Sequence, residues 1–133
     1  MRVVMLAAVL GMAFVHDTKA QPPLGEVQEI HDGYFWLWMA NKIRKECPAI
    51  SPNLFDAQQA IDGLKQDARD LGYTEQQIDE YIESDAEKDR FRERRAKYFK
   101  SRGYKRTEDG YCALGREEIE RNSTIGVLLR AND

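Results

Sequence analysis

Six apolar residues, Leu54, Ala57, Ile61, Leu64, Ala68 and Leu71, recur at spacings of 3, 4, 3, 4 and 3. At the helical period they form one continuous stripe with polar positions on either side. Ser51 or Asn53 stands where an N-cap belongs, and Gly72 follows as a C-terminal cap. The stripe predicts a helix lying on a core.

Upstream, residues 34–40 read YFWLWMA. Seven apolar or aromatic residues in a row cover every side of a helix. Such a helix is central to a small bundle or leaves part of its surface for a partner. The pattern predicts this first helix over residues 27–46, with an irregularity near Asp32-Gly33. Pro48 ends it, because the residue before a proline is pushed out of helical geometry.

Downstream, Thr74 with Gln77 has the form of a capping box and starts a third helix carrying Ile78, Tyr81 and Ile82. Ser84 with Glu87 repeats the pattern, which predicts a kink or break before a helix running to Arg102. Gly103 ends that segment. Residues 107–110 read as a turn, residues 111–121 as a fifth helix with Cys112 in its first turn, and residues 125–130 as a short helix or apolar tail. No segment alternates apolar and polar residues, and no Asn-Gly or Asp-Gly joins two β-branched runs. The expected fold is all-α, a small orthogonal bundle of four to six helices, monomeric when isolated.

The N-terminus bears on compartment. Arg2 precedes the uncharged run VVMLAAVLGMAFV at residues 3–15, then HDTKA and QPPLG. That order has the form of a secretory signal peptide, with Thr18 and Ala20 small enough for the peptidase pockets. Thirteen apolar residues are short against the ~20 that a membrane-spanning helix needs. The expectation is a signal peptide over residues 1–20 and a single helical domain over residues 21–133. A retained N-terminal anchor is the alternative; either way the location is periplasmic. The remaining 113 residues carry 18 Lys and Arg against 22 Asp and Glu, so the domain is mildly acidic.

Cys47 and Cys112 are the only cysteines. An exported chain with an even count points to a disulfide, and only one pairing is possible. Two separate buried thiols are the alternative. A metal site is not expected, because one histidine, His31, remains outside the leader and no CxxC pair seeds a cluster. Cofactor motifs are absent, and the many carboxylates between Glu75 and Glu87 read as a solvated helix face. No enzyme activity and no small-molecule substrate are expected.

Against the mildly acidic background stands one basic run. Residues 88–106 hold ten Lys and Arg against Asp89 and Glu93, threaded with Phe91, Tyr98, Phe99 and Tyr104. Basic and aromatic residues together suit nucleic acid, but export removes the chain from that pool. The remaining readings are a solvated helix whose basic stems cover the core, and a docking face for an acidic protein partner or an anionic membrane surface. For docking, the expected residues are Arg92, Arg95, Arg102, Lys105 and Arg106. The first three would share one helix face, with the aromatics turned toward the core.

Six segments, PPLGEV (22–27), IRKECPAIS (43–51), GLKQDARDLGY (63–73), IDEYIESDAEK (78–88), YCALGREEI (111–119) and IGVLLR (125–130), resemble a family of small exported bacterial proteins of unassigned function. Both cysteines fall inside matching segments, as a family disulfide would. Some members carry the label of an NADH dehydrogenase subunit, which reads as a sign of gene neighbourhood. The resemblance implies a non-catalytic accessory or binding protein, associated with the periplasmic face of a complex I-like respiratory assembly. The alternative is a soluble periplasmic protein-binding or inhibitor domain; a small enzyme with an unrecognised site ranks below both.

Overall fold

A computed structural model describes residues 20–132. The leader expected over residues 1–20 falls almost wholly outside the described residues. Five α-helices follow in order: α1 (Gln28–Glu46), α2 (Leu54–Asp70), α3 (Glu75–Glu83), α4 (Asp85–Arg102) and α5 (Glu108–Glu120). The all-α expectation holds, with one addition. Strand β1 (Ile50–Pro52) pairs antiparallel with β2 (Leu129–Ala131), in the register Ile50 to Ala131 and Pro52 to Leu129. This ribbon ties the chain's end to the α1–α2 connection. Its strands are three residues long and are set by tertiary pairing, so they leave no periodic signal.

Helix α1 is the centre, touching α2, α4, α5 and the ribbon. Ile30, Phe35, Met39 and Ile43 are fully buried, while Trp36, Leu37 and Trp38 are half-buried. The expected irregularity at Asp32-Gly33 is not there; the helix is continuous. Gly33 instead lets α2 come close, because a Cβ at this position would run into the Leu64 side chain. Asp32 accepts a hydrogen bond from Arg94 of α4 at 2.5 Å. The Arg94 guanidinium lies 4.1 Å from the centre of the Phe35 ring and 4.9 Å from that of Trp36. Phe35 also meets Phe91 ring to ring at 5.6 Å, so aromatic packing joins α1 to α4.

Local punctuation determines the rest. Thr74 and Gln77 form the reciprocal capping box that starts α3. Ser84 leaves helical geometry (φ −59°, ψ 122°), ends α3, and accepts from the Glu87 amide to cap α4, so the break is real. Gly72 and Gly103 take positive φ, 90° and 78°, as glycines at helix ends do. Helix α5 begins three residues before its expected start, because Thr107 caps it by accepting from the Gly110 amide. Gly110 therefore sits in the first helical turn, where a Cβ would collide with the Lys105 carbonyl. The last segment forms one 3-10 turn (Gly126–Leu128) and then β2.

Cys47 and Cys112 form a disulfide with their Cα atoms 5.1 Å apart. It joins the end of α1 to α5, one turn further into that helix than expected. Nearby, Glu118 is fully buried. Its carboxylate accepts from the Tyr98 hydroxyl at 2.5 Å and from the Ser123 hydroxyl, linking α5 to α4 and to the final turn. Burial and this acceptor push the Tyr98 hydroxyl pKa up to about 12.

Candidate functional site

Two surfaces stand out, one charged and one apolar. The charged one comes from α4 and the turn after it. At 100° per residue, Phe91, Arg94, Arg95, Tyr98 and Arg102 fall on one side of α4, and that side faces the body of the protein. Arg95 and Arg102 are thus not on a solvent face, contrary to the sequence expectation. The Arg95 guanidinium lies 5.3 Å from the centre of the Trp38 ring. Arg102 is paired with Glu117 of α5, and its side chain is 29% exposed. The Nε atoms of both arginines are buried. A long aliphatic stem lets an arginine cover apolar surface, and the planar guanidinium stacks on rings. Those properties turned these two inward.

Arg92 is exposed, as expected, but its charge is balanced by Asp89 one turn back. Lys105 and Arg106 are also exposed and lie in the turn before α5. The residues that sequence reasoning missed are Lys97 and Lys100, on the outer face of α4. Together Lys97, Lys100, Lys105 and Arg106 are exposed cations with no ion pair among the described residues. Residues 97–106 contain no Asp or Glu at all. That local absence of acids was the available signal; helix phase was the missing one.

The apolar surface lies between α1, α2, α3 and α4. As its periodicity implied, the α2 stripe lies on the core, through Ala57, Leu64 and Ala68, but it is covered over only part of its length. Only Ala68 is buried; Ala57, Ile61 and Leu64 are half-buried, Leu71 is exposed, and Leu54 is 72% exposed. The first part of the stripe, Leu54, Ala57 and Ile61, forms one wall of a groove of about 470 Å³. Leu37, Trp38 and Ala40 of α1 form another wall, with Ile82 of α3 and Phe91 of α4 completing it. Its charged lining residues are Arg44, Lys65, Lys88 and Glu87. Asn53 supplies the α2 N-cap position without a side-chain cap bond, its amide being engaged by Asp56 and the Val127 carbonyl.

Beside the groove, His31 packs on Phe91, its Nδ1 3.0 Å from the Tyr81 hydroxyl and 3.6 Å from the Glu87 carboxylate. Burial lowers the His31 pKa below its usual 6.5; Glu87 opposes that shift, while Arg90 and Arg94 reinforce it. The unfolded chain therefore binds a proton that the folded chain resists. Stability from this group is fully present above pH ~6.5 and is lost as pH falls through the folded value. Denaturant titrations between pH 7.5 and 5 should show the loss, and His31→Gln should flatten it. An identical decline in His31→Gln would assign the loss to other groups.

The described residues show no cluster of three or more His, Cys, Asp or Glu suited to a metal ion. No helix among them is long and apolar enough to cross a membrane. No curated protein and no solved structure matches the chain. A family model does match, over residues 22–130, from the proline lead-in through both cysteines to β2. The chain belongs to that family, DUF5333, a family of unknown function.

Proposed function

We propose that this chain is an exported, non-catalytic binding protein that docks at the periplasmic face of a membrane assembly. The observation that carries the reading is the set Lys97, Lys100, Lys105 and Arg106, four exposed cations with no ion pair among the described residues, within ten residues free of acids. Such a field on a mildly acidic domain attracts an acidic protein surface or anionic headgroups. The disulfide supports the reading, since such bonds persist in oxidising compartments. The respiratory complex suggested by the label on some members of the resembled family is the first assembly to test.

Docking through exposed charges is screened over about 8 Å at physiological salt, so it should weaken as salt rises. The protein lacking residues 1–20 should co-sediment with native membranes at low salt and release at high salt. Changing Lys97, Lys100, Lys105 and Arg106 together to Gln should abolish co-sedimentation. The fold should be nearly unaffected, because exposed substitutions usually move stability by less than about 0.5 kcal/mol each. Equal co-sedimentation of the two proteins at every salt concentration would remove the patch as the docking surface.

A further inference from the structure

The groove between α1, α2, α3 and α4 is separate from the basic patch and has its own chemistry. Its walls are aliphatic and aromatic, with Leu37, Ala57, Ile61, Ile82 and Phe91 contributing from four helices. Its volume, about 470 Å³, lies within the roughly 300–1,000 Å³ of small-molecule sites. At roughly 30 Å³ for a water-sized group, it holds on the order of fifteen methylene groups. A docked helix is about 10 Å across, whereas a single aliphatic chain matches the groove in volume.

Charge on the lining selects the head group. Arg44, Lys65 and Lys88 line the groove against one acid, Glu87, whose carboxylate already accepts from Arg90 at 2.9 Å. Lys88 donates to the Glu83 carbonyl and lies 3.7 Å from Asp85. Arg44 and Lys65 have no ion pair among the described residues. They come from opposite helices. The chain enters α2 by way of the ribbon and Gly33 abuts Leu64, so α1 and α2 run antiparallel and Arg44 and Lys65 lie toward opposite ends of the shared wall. Either end can therefore receive a negative head while the tail lies on the apolar walls. We propose that this groove is a binding site for a free single-chain fatty carboxylate.

Trp38 lines the groove and reports on it. Sodium dodecanoate, titrated below its micelle concentration into the protein lacking residues 1–20, should change tryptophan fluorescence with one-site saturation. Dodecyltrimethylammonium, with the same tail and a positive head, should bind at least tenfold more weakly. The double variant Arg44→Gln/Lys65→Gln should weaken dodecanoate several-fold and leave neutral dodecyl maltoside unchanged. Ala57→Phe, which fills the wall, should weaken both. Leu54→Glu provides a second variant at a position exposed enough to leave the fold intact, and should weaken dodecanoate through repulsion. The proposal is overturned by no saturable dodecanoate binding, by equal binding of the cationic chain, or by undiminished binding to folded Ala57→Phe or Leu54→Glu. Membrane docking lost in the four-Gln patch variant but kept here would leave the patch reading in place whatever the groove does.

Discussion

Reduction of the Cys47–Cys112 bond, or the double change Cys47→Ser/Cys112→Ser, should lower stability by about 4 kcal/mol. The two cysteines are 65 residues apart in the chain, and closing a loop of that size removes about this much denatured-state entropy in the chain-entropy model. That is a large share of the 5–15 kcal/mol by which small domains are stable. The bond also fixes α1 against α5 at a buried point, Cys47 being fully buried. Guanidinium unfolding with and without reductant measures the effect. Intact mass after alkylation of the native protein checks the bond itself, and should show no label until reductant is added. Labelling of both cysteines without reductant would contradict the pairing.

Phe35→Ala should cost about 3–5 kcal/mol, the usual range for emptying a buried phenylalanine site. Phe35 is wholly buried, packs on Trp36, Trp38 and Phe91, and supports the Arg94 guanidinium that binds Asp32. Its removal opens a cavity at the junction of α1 and α4 and loosens that pair. By contrast, Leu54→Ala should move stability by under about 0.5 kcal/mol, because Leu54 is 72% exposed. Denaturant midpoints at unchanged m would test both. Similar losses for the two variants would mean that the groove wall and the ring cluster are equally packed.

The contrast between those residues shows where sequence reading succeeds. Helix ends were legible because their causes are local. Gly72, Gly103, Thr74 with Gln77, and Ser84 with Glu87 each act within a few residues, and all occupy the expected positions. The start of α5 was misread because Asp109-Gly110 looks like a turn. Gly110 is there for the close approach of the Lys105 carbonyl, a contact not visible in the local sequence.

Periodicity revealed the α2 stripe and its seat on the core, but not that Leu54, Ala57 and Ile61 also border an open groove. A stripe on a covered core and a stripe along an open groove have the same spacing. The basic face failed for a related reason. Treating arginine as a solvent residue put Arg95 and Arg102 outside, yet the Trp38 ring and the Glu117 carboxylate give each a reason to turn in. What remains exposed and without an ion pair among the described residues is Lys97, Lys100, Lys105 and Arg106. The β1–β2 ribbon was invisible because strands of three residues carry no alternation to count.

Lysine footprinting on native membranes tests docking through the basic patch most directly. The protein lacking residues 1–20 is acetylated briefly, once free and once bound, and the modification of each lysine is read by mass spectrometry. Lys97, Lys100 and Lys105 should be labelled in the free protein and protected in the bound one, while exposed Lys45 stays equally reactive in both. Bound protein in which Lys97, Lys100 and Lys105 remain as reactive as in solution would contradict docking through this patch.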